Sequence, residues 1–141
     1  MILVDTNVIS ELVRMAPSPA VVAYVASLPV EEVFTAAICE AEIRYGLARL
    51  PAGRRRDELT ARMDDFFDIG FRDRILRFDR VCASVYGEIR AGRDAGGQPI
   101  ASEDAMIAAT ARAYGMSAVV TRNTKDFGGC GVELIDPWKV V

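Results

Sequence analysis

The sequence predicts an α/β fold: a mostly parallel sheet of about five strands with helices on both faces. Two observations predict it. Short apolar runs recur along the whole chain, at Ile2–Val4, 32–35, 75–78, Ala118–Val120 and Glu133–Ile135. Between them lie stretches with helical periodicity, opened by capping residues and closed by Gly or Pro. Strands joined through helices must pair in parallel, because a parallel connection needs a crossover. The 141 residues are 51% hydrophobic, which fits a single domain spanning residues 1–141 with a full core. No repeat, low-complexity stretch or linker divides it.

The elements follow in order. Ile2-Leu3-Val4 is closed at once by Asp5-Thr6-Asn7 and reads as a buried strand ending in a carboxylate. Ligands of open α/β sheets bind beyond the carboxyl ends of the strands, so Asp5 stands where such a fold does its chemistry. Thr6 can cap a helix to about Val13; Pro17 and Pro19 break it, and Ser18 can cap a helix over 19–27. Residues 32–35 form the second strand, and Thr35 opens a helix to about Leu50. After the Pro51-Ala52-Gly53 turn, a helix over 54–68 carries Leu59, Met63, Phe66 and Phe67 on one face. The two helices should form a hairpin. Residues 75–78 read as a third strand, and Asp79 caps a helix to about Arg93. Ser102 caps the next, through Tyr114, and Gly115 ends it. Ala118–Val120 is the fourth strand, residues 121–131 form a polar loop, and Glu133–Ile135 is an edge strand stopped by Pro137.

Composition excludes much chemistry. There is no histidine, so Ser-His-Asp and Cys-His catalysis and His-bearing zinc sites are ruled out. Carboxylates with a hard cation, or lysine, remain. The lysines are Lys125 and Lys139, so nearly all positive charge is arginine, which grips phosphate bidentately. A net charge of -3 speaks against a general nucleic-acid coat protein. Cys39, Cys82 and Cys130 are widely spaced and odd in number, as reduced core cysteines of a cytosolic protein are; a reactive thiol is the other reading. The apolar N-terminal run is interrupted by Asp5 and lacks a basic flank, and no run is long enough to cross a bilayer. The expectation is a cytoplasmic protein without a membrane partner.

The informative acids lie on apolar faces. Asp57, Glu58, Asp64, Asp65 and Asp68 read as solvated surface, and Glu40 pairs with Arg44 four residues on. Glu42, by contrast, lies between Ile38 and Gly46 on the helical wheel. A buried carboxylate is costly unless paired or bound to a metal, and Arg49 could pair with it. Asp104 shares a face with Ile107, Ala108 and Ala111, in the first turn of its helix. It either supports the helix start or faces a ligand. Asn123 and Asp126 lie in the loop after the fourth strand and offer further oxygen ligands; a polar turn is the plain alternative. Asp5, Glu42, Asp104 and Asp126 gathered together would repel one another. A divalent cation relieves that repulsion, and oxygen-only ligands select Mg²⁺, or Mn²⁺, over zinc. Such a cation lowers the pKa of a bound water and clamps the oxygens of an in-line displacement, which is phosphodiester hydrolysis.

These segments resemble the motifs of one family. Residues 2–12, beginning Ile2-Leu3-Val4-Asp5-Thr6-Asn7, resemble the opening motif of PIN-domain proteins. Ala41-Glu42-Ile43-Arg44-Tyr45-Gly46-Leu47 resembles the second motif, and Pro99-Ile100 with residues 103–111 the third. Val120-Thr121-Arg122-Asn123 with Asp126-Phe127 resembles the fourth. The resemblance spans essentially the whole chain, in order, and is nearest to VapC-type and FitB-like toxins of bacterial type II toxin–antitoxin pairs. It implies a Rossmann-like three-layer α/β/α sandwich and a Mg²⁺- or Mn²⁺-dependent endoribonuclease. It also implies a homodimer and a cognate VapB- or FitA-like antitoxin, with DNA met only through that antitoxin. On the matching positions it implies Asp5, Glu42 and Asp104 as core acids, Asp5 and Asp104 as direct metal ligands, and Asn7 and Thr121 as supporting polar residues. Many relatives carry an acid where Asn123 stands, which leaves the fourth carboxylate between Asn123 and Asp126 open.

Two other readings compete. Aspartyl-phosphate phosphatases need a second Asp two residues after the first, and Asn7 stands there. The other is a catalytically silent module whose acids bind an antitoxin or RNA without cleaving. Clustered carboxylates without a cation are electrostatically costly, which speaks against it.

Overall fold

The computed structural model describes residues 1–140. Five strands form one parallel sheet: β1 (Ile2–Val4), β2 (Val33–Ala36), β3 (Ile75–Leu76), β4 (Ala118–Val120) and β5 (Glu133–Ile135), in the order β3-β2-β1-β4-β5. Six helices flank it: α1 (Thr6–Leu12), α2 (Pro19–Ala26), α3 (Ala37–Ala48), α4 (Arg54–Asp65), α5 (Arg80–Ala95) and α6 (Ser102–Ala113). The result is the expected three-layer α/β/α sandwich.

The order of the strands decides where the site lies. The chain winds outward from β1 through β2 to β3, then crosses to the other side of β1 for β4 and β5. β1 is therefore central, and Leu3, Val4, Val119 and Val120 are fully buried. Each such side chain contributes about 1.5–3 kcal/mol through its removal from water. The reversal of winding falls between β1 and β4, whose carboxyl ends lie side by side, with Val4 in register with Val120. Diverging connections leave a crevice at such a switch point.

Several boundaries differ from the sequence expectation. Asp5, not Thr6, caps α1: its extended backbone (φ -78°, ψ 166°) is the half-turn before the helix, and its Oδ1 accepts from the Thr6 N–H at 2.7 Å. Thr35 caps nothing. It lies inside β2, and its hydroxyl donates to the Val4 carbonyl at 2.9 Å, tying β2 to β1. Ser102 is the first residue of α6 rather than its cap, and its hydroxyl accepts from Arg90 at 3.4 Å. The regular part of α4 stops at Asp65, and Phe66–Phe71 widens into a π-helical stretch. The wider turn inserts both Phe67 and Phe71 into the core, with Phe66 edge-on to each. α3 and α4 do form the expected hairpin, closed by Arg44, which bonds Glu40 and Asp64 and lies 5.5 Å from the Phe67 ring centre. Asp79 caps α5 as expected, accepting from the Cys82 N–H at 3.1 Å. Gly115 follows α6 in the left-handed region (φ 70°), a conformation that favours glycine. Cys39, Cys82 and Cys130 are buried and unpaired, and burial raises all three thiols, Cys39 to about 12. That matches inert core cysteines. No helix among the described residues is long and apolar enough to cross a membrane.

Candidate active site: an acid cleft at the switch point

Asp5 occupies the switch point and is held by three residues, Thr6 and Asn7 of α1 and Thr121 after β4. The Thr6 N–H binds its Oδ1. Thr121, at the end of β4, donates its hydroxyl to Oδ2 at 2.8 Å. Asn7 reaches Oδ2 at 3.4 Å and the Thr121 hydroxyl at 3.3 Å. Thr121 also accepts from the Asn123 N–H at 3.0 Å, and Asn7 Oδ1 accepts from the Arg122 N–H at 3.2 Å. Asn7 and Thr121 thus fasten the loop after β4 to the start of α1, with Asp5 fixed between them. Asp5 is only 4% exposed, and burial pushes its pKa up despite the opposing hydrogen bonds from Thr121 and Thr6.

Glu42 and Asp104 come to meet it. Glu42 projects from α3, half-buried, and its Oε1 accepts from the Thr6 hydroxyl at 2.9 Å. Arg49 is not its partner; that guanidinium lies 5.4 Å from the Tyr45 ring centre. Burial and the Asp5 charge raise the Glu42 pKa. Asp104 stands in the first turn of α6, half-buried, with Glu103 exposed beside it as the wheel predicts. Desolvation, followed by the charges of Asp5, Asp126 and Glu42, pushes its pKa up to about 6. A helix start alone would favour the ionised form, so crowding and burial outweigh it.

Asp5, Asn7, Glu42, Asp104 and Asn123 line one open cleft of about 570 Å³, shared with Thr6, Ser10, Glu11, Arg14, Arg122 and Trp138. Asp126 is absent from this lining and is exposed, although its charge reaches Asp5 and Asp104. Its loop is clasped by Arg93, which donates to the carbonyls of Asp126 (2.9 Å), Gly128 (2.6 Å) and Gln98 (2.6 Å).

The residues missed in the sequence lie on the second wall. Ser10, Glu11 and Arg14 follow the expected Asn7 at helical spacing and share one face of α1 and its extension with it. That periodicity was available as a signal. Glu11 is buried and accepts from the Ser18 N–H (2.8 Å) and from Arg14 (3.2 Å); these bonds hold its pKa below the usual carboxylate range. Trp138 carried no signal, since only the fold brings the chain's end to the cleft.

The donor set fits a hard cation. Four carboxylates, with no histidine or thiolate among the lining residues, share one cleft, and three of them, Asp5, Glu42 and Asp104, are pushed towards protonation. Among the described residues no three acids or thiols close into a ready-made cage. Mg²⁺ does not need one, because it is held by one or two carboxylates together with water and a substrate phosphate.

Known proteins share this sequence and fold over almost its whole length. Over 138 residues the chain is 41% identical to the toxin FitB of Neisseria gonorrhoeae, covering 98% of this chain and 99% of that one. It is 39% identical over 139 residues to the VapC ribonuclease Y4jK of Sinorhizobium fredii, covering 99% of each. The solved structure of FitAB bound to an IR36 DNA fragment superposes with a TM-score of 0.92 at 42% identity, covering 100% of this chain and 98% of that one. The PIN domain itself is matched across residues 2–128, and the chain belongs to the PIN-domain family.

Proposed function

We propose that this protein is a Mg²⁺-dependent endoribonuclease and the toxin of a type II toxin–antitoxin pair. The observation that carries the reading is the convergence of Asp5, Glu42 and Asp104 in one cleft, each held towards protonation. Relatives named as a toxin and as a ribonuclease support it. Asp5 and Asp104, with Glu42 beside them, would hold the cation, and Mn²⁺ could substitute. When bound, it would neutralise the crowded acids and supply Lewis-acid activation for phosphodiester hydrolysis. Thr121 and Asn7 keep the Asp5 carboxylate in one orientation, so little reorganisation is left for the moment of reaction. Thr6 does the same for Glu42. Asp126, outside the lining, supports the site electrostatically and through water rather than by direct contact.

The partner is an antitoxin, with DNA reached through it and a second copy of this chain completing a homodimer. Support comes from solved complexes of relatives, one of them FitAB on DNA. An apolar groove lined by Val13, Leu47, Leu50, Leu59 and Met63 opens off the acid cleft at Thr6, Ser10 and Glu42. A partner helix lying there could place an arginine among the carboxylates. The test is cleavage of total RNA by purified protein with Mg²⁺, with and without EDTA, followed by sequencing of the new ends. Metal-independent cleavage, or none, would defeat the reading.

A further inference from the structure

An RNA strand entering the cleft meets a problem that the catalytic acids create. Asp5, Glu11, Glu42 and Asp104 all line it, and each repels phosphate when ionised. Two cations, Arg14 and Arg122, line the same cleft. They are not equivalent. Arg14 is spent on Glu11, at 3.2 Å. Arg122 makes no salt bridge among the described residues, and no guanidinium N–H of it is engaged; its only bond is from the backbone N–H to Asn7. Its charge is nonetheless felt by Glu11 across the cleft.

The free guanidinium is not loose. It lies 4.8 Å from the Trp138 ring centre, in stacking range. Trp138 is in turn fixed: its backbone N–H donates to Asp136 Oδ1 at 2.9 Å, after the buried Pro137, and its ring packs against the core. Asn7 anchors the Arg122 backbone to the helix that Asp5 caps. An exposed arginine pinned at both ends, with its donors unspent, is pre-organised for a bidentate anion.

We propose that Arg122 grips a phosphate of the RNA strand beside the scissile bond, and that Trp138 is the positioning residue that holds its guanidinium over the cleft. This rests on the ribonuclease reading and adds the residue that makes an acidic cleft accept RNA. A protein carboxylate could also pair with Arg122. RNA is favoured because the same cleft holds the oxygen ligands for a cation, which phosphate tolerates and shares.

The test uses the intact protein with Asp104→Asn, so that RNA binds in Mg²⁺ without being consumed, and fluorescence anisotropy of a short labelled single-stranded RNA. Arg122→Gln should weaken binding roughly ten- to a hundredfold, as loss of a charge-assisted bidentate contact does. The slope of log K against log salt should fall by about 0.7, the value for one neutralised phosphate on a single strand. Arg122→Lys should keep the slope and recover part of the affinity. Trp138→Phe should stay close to the parent, and Trp138→Ala should approach Arg122→Gln. Trp138 is the chain's single tryptophan, so its fluorescence should also change on RNA addition, and that change should vanish with Arg122→Gln. In the otherwise wild-type enzyme Arg122→Gln should raise KM more than it lowers kcat. Unchanged affinity and slope in Arg122→Gln overturn the inference. So does an equal loss in Arg14→Gln, which would mean that the general charge of the cleft, not a poised fork, holds the strand. A parent protein that binds no RNA at all sinks the ribonuclease reading with it.

Discussion

Asp104→Asn separates the electrostatic cost of the site from its chemical use. The folded protein raises the Asp104 pKa from its ordinary 3.8 to about 6. The gap is about two units, and each corresponds to ~1.4 kcal/mol, so ionisation costs the fold at most about 3 kcal/mol. Asp104 is half-buried and partly screened by solvent, which brings the expected share down to about 1–2 kcal/mol. The folded state holds the proton more tightly than the unfolded chain. The penalty is therefore absent below about pH 4, grows as pH rises towards 6, and is complete above that. In EDTA at about pH 7.5, urea denaturation should show the variant more stable than wild type by about 1–2 kcal/mol, and the two should converge near pH 4. Added Mg²⁺ should stabilise wild type, by binding the folded state alone, and stabilise the variant much less. RNA cleavage by the variant should be abolished. A variant less stable than wild type in EDTA at neutral pH would refute the account of crowding and burial.

Other perturbations probe the supports around it. Thr121→Val removes a buried hydroxyl that donates to Asp5 and accepts from Asn7 and Asn123; thermal denaturation should show a loss of about 1–3 kcal/mol, and cleavage should slow, whereas a silent variant would show that Asp5 orients itself. Asp126→Asn should slow cleavage about 10–100-fold without abolishing it and be partly rescued by extra Mn²⁺, because Asp126 lies outside the lining; a variant inactive at every metal concentration would make it a direct ligand. Glu103→Gln, exposed beside Asp104, should leave the cleavage rate within about twofold and serves as the paired control. Arg93→Ala removes the clasp on two carbonyls of this loop, those of Asp126 and Gly128; amide exchange across residues 121–131 should accelerate markedly, and unchanged protection would mean that the Thr121–Asn123 contacts alone order the loop.

Most of the fold was legible because the local signals agreed with the global layout. Short apolar runs closed by turn residues fit strands buried in a parallel sheet, and the helices between them force parallel pairing. What misled were hydroxyls at element junctions. Thr35 and Ser102 look like caps, because a cap and a strand-end or first-turn hydroxyl have the same sequence signature. Tertiary contacts decide between them: the Thr35 hydroxyl bonds Val4 on the neighbouring strand, and that of Ser102 faces Arg90 on the neighbouring helix. The π-helical stretch was equally invisible. Leu59, Met63, Phe66 and Phe67 read as an ordinary amphipathic face of a helix ending at Asp68, whereas the core demands that both Phe67 and Phe71 be buried.

The site was legible for a different reason. A carboxylate on an apolar face is costly wherever the chain places it, so the helical wheel alone sets Glu42 and Asp104 apart from Glu40 and Glu103. The same logic fails for residues whose role is relational. Asp126 carries a charge in the right loop, yet its placement depends on how that loop is clasped, and the clasp comes from Arg93 on α5, distant in sequence. Arg122 and Trp138 are further examples, since neither is unusual by burial or by local pattern. Their pairing exists only because β4 and the turn after β5 end on the same edge of the cleft. The acids of the cleft are marked by what they cost the fold. The cations that would bring the substrate in cost it nothing, and so a single sequence leaves them unmarked.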